Sequence, residues 1–503
     1  MKNCIVNIIL LMSEENTSHV KTLFSHTVYY GMGLFLNRSL SVLLLPLYTD
    51  YFSSQELGVY SLIFSLWIFL NILYMFGTET SFLKFFIDAK DQTEKARIYC
   101  TTLTMISVTS AVFSVILYFT SGAIAELIKF DNIPQAAFLI KILALLIFFD
   151  ALSRYPLLLL RANLKAKTYA VITAISLVIN LGLNLILIIG YHFGIEAIFY
   201  AYIASVIFTL IAGLIVTREY LLPKVSTQLM KELVSYGNKF IYIGIFVILI
   251  SQSDRYFLKY FFDESLVGIY SANYRLASVM TLAIASFKFA WTPYFLNLAE
   301  NPDSKKVIAN VFTYFVFIAL SIFLFFSFFT APLAKINFFG IHILAPEYWS
   351  GLGILPLILG AYFFLGLADN LNAAPFLKNK TSLLLLASAI AFIVNIILNF
   401  ILTPVYGIFG ASWAILITYI VQFIALYIIS QRIFPVNYQL GKLSGIFLLT
   451  LVFFVGGSLV HALQDVSIKY ILLILASLFM VYLSTLQATG LIDLRKTRSL
   501  FKK

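Results

Sequence analysis

Apolar residues are grouped in long stretches along the chain, separated by short breaks that carry charged residues, proline or glycine. A stretch of roughly 18 to 25 residues is enough for one α-helix to cross a hydrocarbon core about 30 Å thick. The pattern therefore predicts an all-α polytopic membrane protein with fourteen transmembrane helices. We place them at 25–48, 56–78, 98–120, 136–160, 168–190, 194–216, 236–258, 266–296, 307–330, 350–372, 381–403, 408–430, 441–463 and 468–489.

The first six predicted helices recur as the next six, because short motifs reappear in the same order 210 to 219 residues later. The matching pairs are Gly58-Val59-Tyr60-Ser61 with Gly268-Ile269-Tyr270-Ser271, Asp150 and Pro156 with Asp369 and Pro375, Lys167-Thr168 with Lys380-Thr381, and Asn180 and Asn184 with Asn395 and Asn399. Because six is even, both halves insert with the same orientation. We expect two parallel six-helix lobes with a cleft between them, followed by two extra C-terminal helices.

Composition supports a membrane protein over a soluble one. The chain is 61% hydrophobic and only 11% charged, whereas soluble domains are about a quarter charged. The net charge of +11 raises the question of a nucleic-acid partner, but the basic residues lie in short loops between helices. Membrane topology explains them better, so we predict no nucleic-acid partner.

Lysine and arginine accumulate on one side of the predicted helices. Of the 34 basic residues, 24 fall in the tails and in the loops after even-numbered helices, and four fall in the other loops. Because cytoplasmic loops carry the excess of Lys and Arg, we expect both termini in the cytoplasm. The predicted order is a cytoplasmic tail (1–24), an N-lobe (25–216), a cytoplasmic linker (217–235), a C-lobe (236–430), helices 13 and 14 (431–490) and a basic cytoplasmic tail (491–503).

The first residues have two interpretations. A short apolar run follows Lys2, and Met12 begins a segment that reads as an alternative start, so whether residues 1–11 belong to the native protein stays open.

Four cations inside predicted helices are candidates for substrate binding. Arg38 and Arg275 fall near mid-membrane, where an arginine costs about 2.5–3.5 kcal/mol if it faces lipid. They belong to helices 1 and 8, in opposite lobes, so both guanidinium groups facing the cleft would bind an anion such as phosphate. Arg255 and Lys288 lie nearer helix ends, and for them substrate binding and structural pairing both stay open.

Four acids inside the helices are the complementary set: Glu79, Asp150, Asp254 and Asp369. Asp150 and Arg154 are spaced i, i+4, so we expect them to pair on one helix face. Coupling to an H⁺ or Na⁺ gradient and structural pairing are both open interpretations of these acids. The sequence contains no phosphate-binding loop and no His/Cys/acid cluster with metal-ligand spacing, so we predict no catalytic residue, no metal and no cofactor.

Several apolar motifs carry a family resemblance. They are Leu45-Pro46-Leu47-Tyr48, Gly58-Val59-Tyr60, Gly77-Thr78-Glu79, Lys84-Phe85-Phe86, Asp254-Arg255-Tyr256-Phe257, Val267-Gly268-Ile269-Tyr270 and Trp291-Thr292-Pro293. With them the chain resembles the polysaccharide-biosynthesis (O-antigen, or repeat-unit) flippases. Their superfamily, the multidrug/oligosaccharidyl-lipid/polysaccharide exporters, also holds multidrug and toxin extruders and lipid II flippases.

The resemblance implies a transporter rather than an enzyme. Its expected substrate is an undecaprenyl-type (polyprenyl) pyrophosphate-linked oligosaccharide, moved from the inner to the outer leaflet by alternating access for O-antigen, capsule or exopolysaccharide synthesis. It also implies a cationic central cavity, a place for the lipid tail beside helices 13 and 14, and a location in the bacterial inner membrane. Membrane lipids and the polymerase and chain-length proteins of the same pathway are the expected partners.

Two other functions stay open as alternatives. A multidrug or cation exporter of the same superfamily would have acidic rather than basic residues in its cavity. An integral-membrane glycan polymerase would present a large outward loop, whereas the longest here is Thr330 to Trp349.

Overall fold

A computed structural model describes residues 42–222, 224–297, 304–338, 341–378, 380, 382–461 and 467–491. These residues divide into two compact units. The first unit runs up to Ala272 and includes Ile396–Ala411, and the second comprises Asn273–Asn395 and continues from Ser412.

The first unit is built from helices that are mostly long enough to cross a membrane. They are α1 (Leu45–Tyr51), α2 (Ser54–Met75), α3 (Thr78–Asp88), α4 (Gln92–Ile128), α5 (Ile133–Ala162), α6 (Ala166–Leu185), α7 (Glu196–Val216) and α8 (Thr227–Phe261), followed by the start of α9 (Glu264–Ala277). A π-helical turn at Ile186–Gly190 extends α6, and a 3-10 turn at Arg218–Tyr220 follows α7. α5 is the central helix, since α2, α3, α4 and α7 all pack against it.

Polar side chains cap the starts of α2, α4 and α5. At the start of α2, Ser53 Oγ accepts a hydrogen bond from the backbone N–H of Glu56 (3.3 Å), and the Glu56 carboxylate accepts one from the N–H of Ser53 (3.0 Å). Asp91 and Asn132 cap α4 and α5 through their side chains. Such caps satisfy backbone donors that have no partner within the helix.

The first turns of α2 and α9 cross with their backbones in close contact. A Cβ atom on Gly58 would overlap the carbonyl oxygen of Glu264, and one on Gly268 would overlap the carbonyl oxygen of Ser54. The hydroxyls of Ser54 and Ser265 are hydrogen-bonded at the same crossing. Small residues permit this approach, as is common between membrane helices.

An ion cluster lies beside this crossing. Lys259, in the last turn of α8, has its Nζ 2.7 Å from Asp131 Oδ1 and 3.4 Å from Glu264 Oε1. Glu264 Oε1 also accepts the backbone N–H of Asp131 (2.9 Å). The Lys259 and Glu264 side chains are only 4% and 1% exposed, so the buried Glu264 carboxylate depends on Lys259 for its compensating charge.

The second unit contains the rest of the chain. Its elements are α10 (Val279–Asn297), α11 (Ser304–Ala334), strands β1 (Asn337–Phe338) and β2 (Ile341–His342), a 3-10 helix (Pro346–Ile354), α12 (Leu355–Leu371) and α13 (Ala373–Leu377), then most of α14 (Ser382–Tyr406) and α15 (Ile408–Ile433), and finally α16 (Leu440–His461) and α17 (Ile468–Ala488). The strands form an antiparallel hairpin. α11 packs against α12, α16 and α17, which makes it the organising helix of this unit.

The predicted all-α membrane fold is confirmed, whereas the count of fourteen transmembrane helices stays a prediction. Eleven helices of the described residues are long and apolar enough to cross a membrane. The helices follow the predicted positions closely, and α16 and α17 are the predicted helices 13 and 14. The first predicted helix lies largely outside the described residues, and the predicted lobe boundaries stay a prediction.

Three details differ from the prediction. The predicted helix 266–296 is two helices that meet at Ser278. The predicted linker 217–235 contains the first turns of α8, which begins at Thr227 after an N-cap by Ser226. α3 lies between the predicted helices 56–78 and 98–120, where no helix is predicted, and its Phe82 and Phe86 are buried on one helix face.

Candidate functional site

A polar cavity of about 480 Å³ lies within the first unit, among α2, α3, α5, α6 and α7. Its walls combine charged, hydroxyl, amide and aromatic side chains with a few aliphatic ones. Its lining includes Trp67, Glu79, Asp150, Arg154, Arg161, Ser176, Asn180, Tyr202, Ser205, Val206 and Thr209. Charged residues among apolar membrane helices mark a functional site by default.

Arg154 joins two of the predicted acids. Its Nη1 lies 3.2 Å from Glu79 Oε1, and its Nη2 lies 3.0 Å from Asp150 Oδ2. Asn71 Nδ2 donates a second hydrogen bond to Asp150 Oδ2, at 2.9 Å. The predicted i, i+4 pairing of Asp150 with Arg154 is confirmed, and the contact with Glu79 adds a second carboxylate to it.

Backbone geometry places Glu79 at the cavity. Gly77, between α2 and α3, has φ of +63°, a left-handed conformation that favours glycine. It also lies against Gly237, whose carbonyl oxygen a Cβ atom would meet. This turn lets α3 start at Thr78, so that Glu79 falls in its first turn.

A hydroxyl and amide wall faces this charged cluster. Asn180 Nδ2 donates to Ser205 Oγ at 3.4 Å, and Thr209 Oγ1 donates to Ser176 Oγ at 2.9 Å. The sequence indicates a polar face on α6, because Thr173, Ser176 and Asn180 recur at helical intervals. This polar stripe was not predicted from the sequence as a cavity wall.

The aromatic side of the cavity is formed by Trp67 and Tyr202. Their rings meet edge to face with centroids 5.3 Å apart, and Phe64 holds Trp67 from another side at 5.1 Å. The indole Nε1 of Trp67 is buried with no hydrogen-bond partner among the described residues.

Arg255, a predicted substrate-binding residue, is buried outside this cavity. Its Nη1 lies 2.9 Å from Asp254 Oδ1 and donates to the carbonyl oxygen of Ser251 at 3.0 Å. The hydroxyl of Tyr270 donates to the other oxygen of Asp254. Arg255 is 7% exposed and Asp254 is fully buried, so the charges of this pair are compensated within the first unit.

Lys288, in the second unit, pairs with Asp369 at 2.9 Å, and Asn372 Nδ2 donates to the same Asp369 oxygen at 3.2 Å. The Lys288 side chain is 54% exposed, so it remains accessible. Asp369 corresponds to Asp150 in the sequence repeat, and each of the two acids contacts one cation and one asparagine.

The remaining predicted cations are placed differently. Arg275 lies in the last turn of α9, in the second unit. Arg38 lies outside the described residues. All four predicted acids contact a basic side chain, which is consistent with structural ion pairing. The predicted roles of Arg38, Arg275, Arg255 and Lys288 in substrate binding, and of the four acids in ion coupling, stay predictions.

The asparagines of the sequence repeat make contacts between helices. Tyr48 donates to Asn184 Oδ1 at 2.9 Å within the first unit, and Asn395 donates to Thr418 at 3.2 Å within the second. Both bonds connect residues of different helices, as expected for polar side chains between membrane helices.

Comparisons with known proteins indicate a similarity to proteins of polysaccharide biosynthesis. The family profile described as "Polysaccharide biosynthesis protein" matches residues 51–340, more than half of the chain. A curated relative, the probable low-salt glycan biosynthesis flippase Agl15 of Haloferax volcanii, is 25% identical over 228 residues. That alignment covers 43% of this chain and 47% of the relative, so the match spans about half of the relative's length.

Two solved structures share the fold. The lipid II flippase MurJ, in an inward closed conformation, has a TM-score of 0.74 at 14% identity, covering 93% of this chain and all of its own. A multidrug resistance MATE family transporter of the MOP superfamily, in an inward-facing conformation, has a TM-score of 0.67 at 12% identity, covering 80% of this chain and 95% of its own. These three named proteins are flippases and transporters, not enzymes.

Proposed function

The chain belongs to the polysaccharide biosynthesis protein family, and we propose that it is a flippase for a polyprenyl-pyrophosphate-linked oligosaccharide. In this proposal the oligosaccharide head group crosses the membrane within the protein while the polyprenyl tail stays in lipid. The product serves synthesis of a surface polysaccharide such as O-antigen, capsule or exopolysaccharide.

The observation that carries the proposal is the polar cavity inside a bundle of membrane helices. A hydrophilic head group pays a large desolvation cost in hydrocarbon, so its carrier must supply hydrogen-bonding groups at membrane depth. The cavity supplies carboxylates, guanidinium groups, hydroxyls and an amide in one place. Family membership connects this chemistry to glycan synthesis.

The proposed mechanism is alternating access. The head group enters from the cytoplasmic side, and the conformational change then exposes it to the other side. Arg38, Arg275, Arg255 and Lys288 are the proposed contacts for the pyrophosphate. Arg255 must exchange its contact with Asp254 for this role, whereas Lys288 is already accessible. The proposed driving force is a gradient of H⁺ or Na⁺, and the coupling ion is proposed to bind at the four acids.

The setting is also part of the proposal. We place the protein in the bacterial inner membrane with both termini in the cytoplasm, where the polymerase and chain-length proteins of the pathway would receive its product. A cation exporter, the alternative within the superfamily, is less favoured because Glu79 and Asp150 are both already engaged by the Arg154 guanidinium.

The test is to delete the gene and locate the lipid-linked oligosaccharide. We expect it to accumulate on the cytoplasmic face and surface glycan to disappear, with both reversed by the wild-type gene. Unpolymerised units on the outer face would contradict a flippase and favour a polymerase.

Complementation with variants then tests the proposed contacts. Arg38→Gln and Arg275→Gln, and the corresponding alanine variants, should each fail to restore surface glycan at normal protein level. Normal glycan with every one of these variants would remove both arginines from the mechanism.

A further inference from the structure

We propose that the cavity of the first unit binds a neutral sugar residue of the transported head group. This inference rests on the proposed function and adds to it a place for the sugar that is separate from the pyrophosphate contacts. Four properties of the cavity support it. They are its charge balance, its hydrogen-bonding capacity, its volume and its aromatic side, which includes one buried hydrogen-bond donor.

The charges of the cavity compensate one another. Glu79 and Asp150 supply two negative charges, and Arg154 and Arg161 supply two positive ones. The Arg154 guanidinium already donates to both carboxylates. A pyrophosphate that binds at Arg154 would have to displace these carboxylates, and a cationic drug that binds at the carboxylates would have to displace the Arg154 guanidinium. A neutral ligand can be bound without breaking either contact, so it avoids the cost of leaving a charge unpaired.

The wall offers the mixture of donors and acceptors that a polyol needs. A hydroxyl group donates one hydrogen bond and accepts two, so a sugar ring requires both kinds of partner on several sides. The carboxylate oxygens of Glu79 and Asp150 accept hydrogen bonds, and so do the hydroxyl oxygens of Ser176, Ser205 and Thr209, whose own protons are donated within the protein. The donors are the remaining N–H groups of Arg154 and Arg161. These residues lie on four helices, α3, α5, α6 and α7, so they contact a ligand from several sides.

An aromatic surface completes the arrangement. Trp67 and Tyr202 form one side of the cavity. The C–H faces of a sugar ring are apolar, and aromatic rings offer a large rigid apolar contact together with a polar end. The indole N–H of Trp67 has no acceptor among the described residues and no accessible surface in this conformation, so a sugar hydroxyl becomes its acceptor only when the neighbouring side chains move aside.

The volume sets how much of the head group fits. At about 480 Å³ the cavity is within the usual range of about 300–1,000 Å³ for small-ligand sites. One or two sugar residues fit in this space, while a polyprenyl chain finds no extended apolar channel among these residues. The proposed occupant is therefore the sugar and not the lipid tail.

The experiment measures binding of free sugars to the full-length protein in nanodiscs by saturation-transfer difference NMR. The probes are glucose, galactose, mannose and N-acetylglucosamine, with inorganic pyrophosphate and tetraphenylphosphonium as competitors. We expect at least one sugar to bind with a Kd on the order of 1–10 mM, with no displacement by either competitor.

Two pairs of variants locate the site. Val206→Phe fills the cavity from α7, and Ile211→Phe adds the same ring to an exposed position of the same helix. Trp67→Phe removes the buried indole N–H, and Trp413→Phe makes the same change at an exposed position in the second unit. We expect Val206→Phe to weaken sugar binding more than about tenfold and Trp67→Phe about threefold to tenfold, with wild-type affinity in both controls. The thermal midpoint of each variant is measured first. If Val206→Phe does not fold, Trp67→Phe with a wild-type midpoint still tests the site.

The outcomes separate this inference from the proposed function. No binding of any sugar to the wild type, equal binding by Trp67→Phe and Trp413→Phe, or displacement by pyrophosphate or tetraphenylphosphonium would overturn the sugar site. A proteoliposome assay with lipid-linked oligosaccharide reports on the flippase separately. Sugar binding without transport would remove the proposed function and keep the site, whereas transport without sugar binding would do the reverse.

Discussion

Gly58 and Gly268 lie next to each other where α2 crosses α9, such that a Cβ on Gly268 would be 3.0 Å from the backbone nitrogen of Gly58. The two glycines occupy the same position in the two sequence repeats, 210 residues apart. The repeat is therefore expressed in the structure as a direct contact between equivalent residues. Neither helix can accept a side chain here without moving.

Gly58→Ala and Gly268→Ala should each destabilise the protein by about 1–3 kcal/mol, because the added methyl group meets backbone and not a flexible side chain. The measurement is the thermal midpoint of the purified protein in one detergent. Gly122→Ala and Gly182→Ala are the matched controls, since a Cβ at either position has nothing within 4 Å. Equal midpoints for all four variants would show that the crossing tolerates separation.

Lys259→Met should destabilise the protein by about 3–5 kcal/mol, because it leaves the buried Glu264 carboxylate without its cation. Unfolding in denaturant, followed by tryptophan fluorescence, measures the loss. The double variant Lys259→Met/Glu264→Gln should recover part of it, because the unpaired charge is then gone. Lys165→Met, at an ion pair whose side chains are 43% and 53% exposed, is the control and should change little. A single variant as stable as this control would argue against a buried pair.

Arg154→Lys should reduce transport more than about tenfold at normal protein level. Arginine reaches Glu79 and Asp150 with two different nitrogens, whereas a lysine presents one compact ammonium group. Rates are compared in proteoliposomes, with Arg432→Lys at the exposed end of α15 as the matched change. If both variants transport at the wild-type rate, the two-carboxylate contact is not needed for the cycle.

Lys288→Gln should abolish most transport, and adding Asp369→Asn should restore the thermal midpoint but not the transport. The second substitution removes the carboxylate that lost its partner, whereas the proposed phosphate contact is still missing. Measuring midpoint and rate on the same preparations separates the two roles. Recovery of transport in the double variant would assign Lys288 to structural pairing alone.

Helix positions were predictable because hydrophobic length is a local property of the sequence. The apolar run 441–463 became α16 at Leu440–His461, and the run 468–489 became α17 at Ile468–Ala488. Breaks inside a run were not predictable in the same way. The chain turns at Ser278, where no proline or glycine interrupts the apolar pattern.

The cavity was only partly predictable, because it depends on contacts between residues far apart in sequence. The i, i+4 spacing of Asp150 and Arg154 indicated their pairing. Nothing local indicated that Glu79, 75 residues before Arg154, would join them, since this requires the turn at Gly77 and the packing of α3 on α5. The polar stripe of α6 was present in the sequence, but its meaning depended on which helix it faced.

The compensated pairs Arg255–Asp254 and Lys288–Asp369 have an electrical consequence. Moving one elementary charge across a potential of 100 mV involves about 2.3 kcal/mol of work. A cation and an anion that move together require almost none of this work. The membrane potential therefore exerts little force on the helices that carry these pairs. Any voltage dependence of the proposed reorientation would then be set by the charges of the bound substrate and ions, including the phosphates of the proposed substrate.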